Sequence, residues 1–513
     1  MAFPPLNAWP LAIVGVAAFT LAVRGVRART GLLCGWVFGL GMFVPMLSFL
    51  RGLGWDAWLV LAVGEALWFA LLAVAVTVVQ RTPVWPAGVA LLWVTQEWAR
   101  DRVPFQGFPW GRLAFGQADG PLLPLAAIGG AVLVTFVTAL LGAVLAAICV
   151  AIRGFGADGR RRTALAAGGA LAVVAAGFGG AAAVATPTGG TTADGPSHAV
   201  VALIQGNVPR LGLDEFAQRR AVTANHMAQT QALAADVAAG RVPKPDIVIW
   251  PENATDDDPT TDPVARSMVE TAVRAIGVPV VVGAILDGPG PNHVRNAAVV
   301  WSPVTGPGQI YVKRHLVPFG EYLPFRNVLG HLIGRFSLIP RDFAAGHSPG
   351  VLRVGPVKLA DVICFEVADD EVVRQAVTGG GRLLAVQTNN ATYERIGDHG
   401  NGGETAQQLE ISRLRAVEHG RAVVVAATSG VSAVIAPDGR VLARSGVFQP
   451  ARIVVDVPLR DPRTVADRLG VWPERGLALA GVIWLAVGWV VRRRAAGDPP
   501  APSTPEPELA TTS

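Results

Sequence analysis

Three side chains in this 513-residue sequence could together attack a carbonyl: Glu252, Lys313 and Cys364. Each lies at the end of an apolar, strand-like run, in PDIVIWPE, GQIYVKRH and LADVICFE respectively. Cys364 is the one thiol outside the long apolar segments, since Cys34 and Cys149 both fall within them, so it has no evident disulfide partner. Taken singly, each residue has an ordinary reading as a packed thiol, a solvated acid or a surface lysine. Together they supply a base, a cation and a nucleophile, which suffices for covalent acyl transfer. A free thiol is only a few per cent ionised at neutral pH, so a carboxylate acting as general base helps it. Attack on the carbonyl builds negative charge on oxygen, which an ammonium group stabilises. A helix expected to open at Asp369–Glu371 would turn its positive end toward the thiol and favour thiolate.

The surrounding sequence, from about 196 to 460, has the mixed polarity of a soluble α/β domain. Strand-like runs HAVVALIQGN, VPVVVGAIL, NAAVVW, RLLAVQTNN, RAVVVAAT and SAVIAP join those already quoted. Two long helices are expected over LDEFAQRRAVTANHMAQTQALAADVAA and ETAQQLEISRLRAVEHG. In such sheets, reactive groups gather where strands end.

The rest of the chain reads as membrane. Half of all residues are apolar and 16% are charged, and the long uncharged runs fall before 185 and near the C-terminus. A bilayer core needs about 20 apolar residues per helix. The candidate spans are roughly 8–23, 31–50, 57–79, 84–99, 122–152, 163–185 and 477–491. This divides the chain into a helical bundle of about six spans over 1–185, a linker over 186–197, a catalytic domain over 198–460, a C-terminal span over 477–491 and a disordered cytoplasmic tail over 495–513. Arg24, Arg27, Arg29, Arg81, Arg153, Arg160 to Arg162 and Arg492 to Arg494 all fall on one side if each span crosses once. That side is expected to be the cytoplasm, which puts the catalytic domain outside. The net charge of +5 is then a matter of topology, and no nucleic-acid patch is visible. Glu97, inside the end of the fourth span, is costly unless it faces the bundle interior or pairs with something such as Arg100, and it reads as structural or as lining a lipid path. The loop RDRVPFQGFPWGRLAFG mixes Phe105, Phe108, Trp110 and Phe115 with Arg102 and Arg112, which suits either an interfacial lipid guide or an aromatic anchor.

WPEN, YVKRHLVPFGEYLPF and ICFE resemble the Glu-Lys-Cys signature of the nitrilase (carbon–nitrogen hydrolase) superfamily. The longer string KRHLVPFGEYLPF, the polytopic frame, GFPWGRLAFGQADGP, LIQGNVP and RLRAVEHGRAVVVAATSGVSAVIAPDG extend the resemblance to the membrane-embedded apolipoprotein N-acyltransferase family. The resemblance implies an αββα sandwich on the outer face of a bacterial cytoplasmic membrane. It also implies Glu252 as general base, Cys364 as acyl-accepting nucleophile and Lys313 as stabiliser of the tetrahedral intermediate. Glu321 and Glu366 match supporting acids of the family, although Glu366 can also be read as the partner of a nearby arginine.

The implied reaction moves an acyl chain from a phospholipid, through a Cys364 thioester, to the α-amino group of a diacylglyceryl-cysteine on a lipoprotein. The other reading is a membrane-anchored amidase acting on a small substrate with the same residues. No cofactor or metal is expected: the eight histidines include no HExxH or paired Cys/His spacing, and no phosphate-binding glycine loop is present. No oligomerisation signal is visible, so a monomer is expected. Two departures from the family stand out. The first of its usual eight membrane helices has no counterpart, so either the start lies upstream or seven suffice. Leu211 and Leu213 also stand where an aromatic residue often follows LIQGN, and the segment NNATYERIGDHG is less aromatic than usual, with Tyr393 the nearest substitute.

Overall fold

The computed structural model describes residues 1–153, 169, 172, 175–208, 219–326, 341–393 and 403–497. Arg160 to Arg162, Leu211, Leu213, most of the segment after Tyr393 and the chain beyond 497 lie outside the described residues, as does part of the expected span 163–185, of which 175–183 is helical.

Five helices open the chain: α1 (Pro10–Ala22), α2 (Ala28–Met46), α3 (Trp55–Val79), α4 (Trp85–Arg100) and α5 (Ala126–Arg153). Helices α2 and α3 and the segment Leu123–Ile152 are long and apolar enough to cross a membrane, as is Trp472–Arg494 near the end. Gly31, Gly35 and Gly39 recur every four residues on the buried side of α2. A Cβ on Gly35 would lie 2.2 Å from the Phe69 carbonyl oxygen, so α2 and α3 meet backbone to backbone. On the outside, Leu32, Leu33, Val37, Leu59, Val60, Leu67 and Leu71 are exposed, a surface that suits hydrocarbon.

Glu97 is satisfied in a way its sequence neighbours do not suggest. Its carboxylate accepts from Thr135 Oγ1 at 2.9 Å and the Leu113 amide at 2.9 Å, and Arg112 Nε lies 3.5 Å away. Arg100 instead reaches Glu65 and the carbonyls of Phe108 and Trp110. The loop after α4 folds back over the helix, so tertiary pairing replaces the i,i+3 pair that spacing suggests.

Thirteen strands follow among the described residues: β1 (His198–Gln205), β2 (Ile247–Ile249), β3 (Val280–Asp287), β4 (His293–Ser302), β5 (Gly306–Val312), β6 (Asp342–Phe343), β7 (Val351–Val354), β8 (Val357–Ile363), β9 (Leu383–Thr388), β10 (Val423–Ala427), β11 (Ala433–Ile435), β12 (Val441–Arg444) and β13 (Ala451–Pro458). The described helices of this part are α6 (Arg219–Ala238), α7 (Pro263–Ile276), α8 (Asp370–Thr378) and α9 (Gly403–His419), followed by α10 (Val465–Leu469) and α11 (Trp472–Gly497). One sheet runs β13-β1-β2-β3-β4-β5, with β6 beside β4, and the other runs β12-β11-β10-β9-β8-β7. Strands β1-β2-β3 and β8-β9-β10 are parallel, which explains their near-continuous apolar runs: both faces are covered.

Alternation along each strand divides the layers. Val201 and Leu203 point into the sandwich against Leu359, Ala385 and Val424. Ala202 and Ile204 point outward, toward Leu233 of α6 and Val269 and Val273 of α7. The outer face of the second sheet, with Val362, Val386 and Val425, packs on Val372 and Val373 of α8 and Leu414 of α9. That apolar cluster continues without a break through Trp110, Phe115 and Leu122 to Phe43 and Phe69 of the bundle. The architecture is therefore an αββα sandwich whose inner helical layer shares its core with the membrane helices.

Candidate active site

The loops after β2, β5 and β8 bring together the three residues singled out by type. Lys313 Nζ lies 3.4 Å from Glu252 Oε1 and 2.8 Å from Glu321 Oε1, and all three side chains are largely buried. Asn296, on β4, donates to both carboxylates, at 2.6 Å to Glu252 and 3.1 Å to Glu321. The Asn389 amide donates to Glu252 Oε2 at 2.8 Å, and the Val317 amide to Glu321 Oε2 at 2.8 Å. Glu252 is thus fixed by an amide side chain and a backbone N–H, with its charge balanced by the ammonium. Burial of this kind is tolerable only when charges are paired and hydrogen-bonded.

Cys364 occupies a sharp corner between β8 and a 3₁₀ turn over Cys364–Ala368, with φ of +55°. Few non-glycine residues adopt the left-handed region, and such strain is held only where surroundings enforce it. Glu366 does much of the enforcing. Its carboxylate accepts from the Ile363 amide at 2.8 Å, the Arg314 amide at 2.6 Å, the His315 amide at 3.1 Å and the Tyr311 hydroxyl at 2.9 Å. It ties the cysteine corner to the lysine strand through backbone amides, not through an arginine side chain; the Arg314 guanidinium goes to Gln375. Glu366 is fully buried, and burial raises its carboxyl above the usual range although the amides of Ile363 and Arg314 oppose this.

The electrostatics differ from the sequence expectation. Burial, and then the nearby Glu252 carboxylate, push the Cys364 thiol well above its ordinary value, against a smaller opposing pull from Lys313. The expected helix does open after Asp369, but the Asp369 carboxylate caps it, accepting from the amides of Glu371 and Val372. That neutralises the positive end that was to favour thiolate. Both features work against a spontaneously ionised thiol. For Lys313, burial disfavours the charge, but Glu321 and then Glu252 more than offset it and hold the ammonium well above the usual lysine range.

The loop after α4 reaches this corner. Phe365 stacks on Trp110, with centroids 6.0 Å apart and planes 6° apart, and on Phe108 at 5.8 Å. Trp110 Nε1 donates to Gln407 Oε1 at 2.6 Å, and Arg112 Nη1 lies 2.8 Å from Asp370. Trp110 and Phe115 are buried, so this part of the loop is a docking element and not an aromatic belt. Phe105 instead joins Phe319 and Phe325, both exposed, beyond the lysine strand. Tyr393 packs edge-on against Phe49 at 5.8 Å, and its hydroxyl is pushed up by burial and the neighbouring Cys364.

Asn296 and Asn389 were not singled out by sequence. A polar residue heading the buried run NAAVVW was the signal for the first, whereas Asn389 contributes only its backbone.

The family model for the apolipoprotein N-acyltransferase N-terminal domain matches residues 1–144, and that for carbon-nitrogen hydrolase matches residues 200–467. An apolipoprotein N-acyltransferase of Mycolicibacterium smegmatis is 40% identical over 498 residues, spanning 95% of this chain and 82% of its own. One from Azotobacter vinelandii is 29% identical, spanning 98% and 95%. A solved amidase from Nesterenkonia sp. aligns over 52% of this chain and 92% of its own, at 22% identity and a TM-score of 0.36. The two-part match along the chain, a membrane part followed by a carbon–nitrogen hydrolase part, places it in the apolipoprotein N-acyltransferase family.

Proposed function

We propose that Cys364 is the acyl carrier of this N-acyltransferase, with Glu252 as general base and Lys313 as the cation that stabilises the tetrahedral intermediate. In the first half-reaction Glu252 takes the Sγ proton as sulphur attacks the ester carbonyl of a membrane phospholipid. Lys313 stabilises the charge on oxygen, and Glu252 returns the proton to the leaving lysophospholipid. In the second, the α-amine of a diacylglyceryl-cysteine attacks the thioester, and a proton reaches sulphur through Glu252 as the carbon–sulphur bond breaks. Glu321 holds Lys313, and Glu366 holds the nucleophile corner. The observation that carries this reading is the placing of a buried Glu252–Lys313–Glu321 cluster beside the strained corner that holds Cys364.

The arginine clusters at 24–29, 81, 153 and 492–494 support a cytoplasmic placement of those ends. On that reading residues 198–460 form the catalytic domain on the extracytoplasmic face, following a linker over 186–197, and the helical bundle over 1–185 and the C-terminal span over 477–491 hold it there. A single copy carries every group named, so a monomer suffices. Both substrates keep their acyl chains in the bilayer, since extraction costs about 0.8 kcal/mol per CH₂. The site therefore works at the membrane surface. The test is intact-protein mass spectrometry after incubation with phospholipid, with Cys364→Ala alongside. A hydroxylamine-sensitive acyl adduct on the wild type alone is expected; its absence together with absence of lysophospholipid would refute the reading.

A further inference from the structure

Beside Cys364, a chain of buried polar side chains among the described residues, Asn390, Glu404 and Gln408, has been given no role so far. Glu404 and Gln408 lie on α9, and Asn390 follows β9. Their burial is nearly complete: Asn390 is 0%, Gln408 1% and Glu404 4% exposed. Asn390 Nδ2 donates to Glu404 Oε2 and, at 3.3 Å, to Gln408 Oε1. Gln408 Nε2 in turn lies 3.9 Å from Cys364 Sγ.

The direction of this chain is not arbitrary. An amide side chain can present either end, and its assignment must come from its partners. A carboxylate can only accept, so Glu404 forces Asn390 to offer its NH₂ group. The same NH₂ group then demands an acceptor from Gln408, which turns the Gln408 carbonyl toward Asn390 and its own NH₂ toward sulphur. Asn390 keeps this direction although its Oδ1 is left buried with no partner among the described residues.

We infer that Gln408 is a further catalytic residue, a polarity-locked N–H donor to Cys364 Sγ, with Asn390 and Glu404 as the positioning residues that fix its direction. The inference rests on Cys364 being the acyl carrier. In the resting enzyme the donor occupies a sulphur lone pair, which leaves the S–H bond to point toward the base. As the thioester carbon–sulphur bond breaks, the electron pair returns to sulphur, and the Gln408 N–H meets that charge before the proton arrives from the amine by way of Glu252. Alignment with Sγ, and not mere bulk, is what this role requires.

The experiment uses the full-length enzyme in detergent and measures the iodoacetamide alkylation rate of Cys364 against pH, beside single-turnover acyl transfer. Loss of one hydrogen bond to sulphur should slow both, roughly three- to tenfold for Gln408→Leu at fixed pH, and move the alkylation profile to higher pH. Asn390→Leu, which removes the donor to Gln408 without adding charge, should shift the profile the same way; it serves as the second variant if Gln408→Leu does not fold. An unchanged alkylation profile in the folded variant, whether or not transfer is lost, would overturn the donor role and leave a packing role. A wild type that alkylates at Cys364 but never forms an acyl adduct would instead sink the acyl-carrier reading, and this inference with it.

Discussion

Phe365 lies flat against Trp110, with only 6° between the ring planes, although the two belong to different halves of the chain. One follows Cys364 and the other belongs to the loop between α4 and α5, so the stack fastens the cysteine corner to the bundle. Aromatic pairs add about 0.5–1.5 kcal/mol beyond the area they bury. Trp110→Ala should also lose the bond to Gln407 and cost about 3–5 kcal/mol of stability in total. Thermal unfolding in detergent would show the loss, and lysophospholipid release should fall in parallel. Trp110→Phe should keep most of both.

Glu252→Gln should separate two properties that normally move together. As a general base Glu252 contributes roughly 10²–10⁴-fold, so acyl-adduct formation should fall by that order. Its charge also raises the thiol, so its removal lowers the thiol toward the ordinary range and increases thiolate at a given pH. Alkylation by iodoacetamide at mildly alkaline pH should therefore become faster while transfer becomes slower. Parallel loss of both rates would show that Glu252 holds the site together and does not act as its base.

Acid should weaken the catalytic domain through His226. Its ring is fully buried against Trp250, and burial pushes it down from the ordinary 6.5 to about 4. The unfolded chain binds a proton first, so stability is complete above pH 6.5 and declines as pH falls toward 4. The loss is about 3 kcal/mol at 1.36 kcal/mol per pH unit. Unfolding temperatures measured from pH 7.5 to 4.5 should drop in the wild type and flatten in His226→Gln; equal slopes would assign the acid sensitivity elsewhere.

In the bundle, Gly35→Val should be more damaging than any exposed change on the same helix. The new side chain would begin 2.2 Å from a backbone oxygen that cannot retreat without moving α3. Overpacking of this kind costs about 1–3 kcal/mol or more. Val37→Leu, on the exposed side, should leave the unfolding temperature in detergent unchanged.

Much of the site was legible because its chemistry is carried by residue type at strand ends. Glu252, Lys313 and Cys364 each close an apolar run, whereas Glu321 and Glu366 were legible only through the family resemblance. What could not be read was direction and partnership. Helix α8 did begin at the expected place, but its capping by Asp369 offsets the positive end expected to favour thiolate. Glu97 took Arg112 across a turn instead of Arg100 one helical turn away. Strand β13 escaped notice because it is an edge strand with a half-exposed pattern, so ARIVVDVP lacks the unbroken apolarity of the central strands; its ladder with β1, from His198↔Pro458 to Gln205↔Ala451, is visible only once folded. The loop before α5 shows the same limit, since composition alone cannot tell a tryptophan that anchors to lipid from one that stacks on Phe365.

The polar stretch over 186–197 looks like a natural place to sever the molecule. Yet Val372 and Val373 of α8 and Leu414 of α9 share one apolar cluster with Trp110, Phe115 and Leu122. A fragment beginning at His198 would complete both sheets and then turn that cluster toward water. Its precipitation would be the mark of a correctly formed sandwich missing its lid, and detergent, not refolding, would be the remedy.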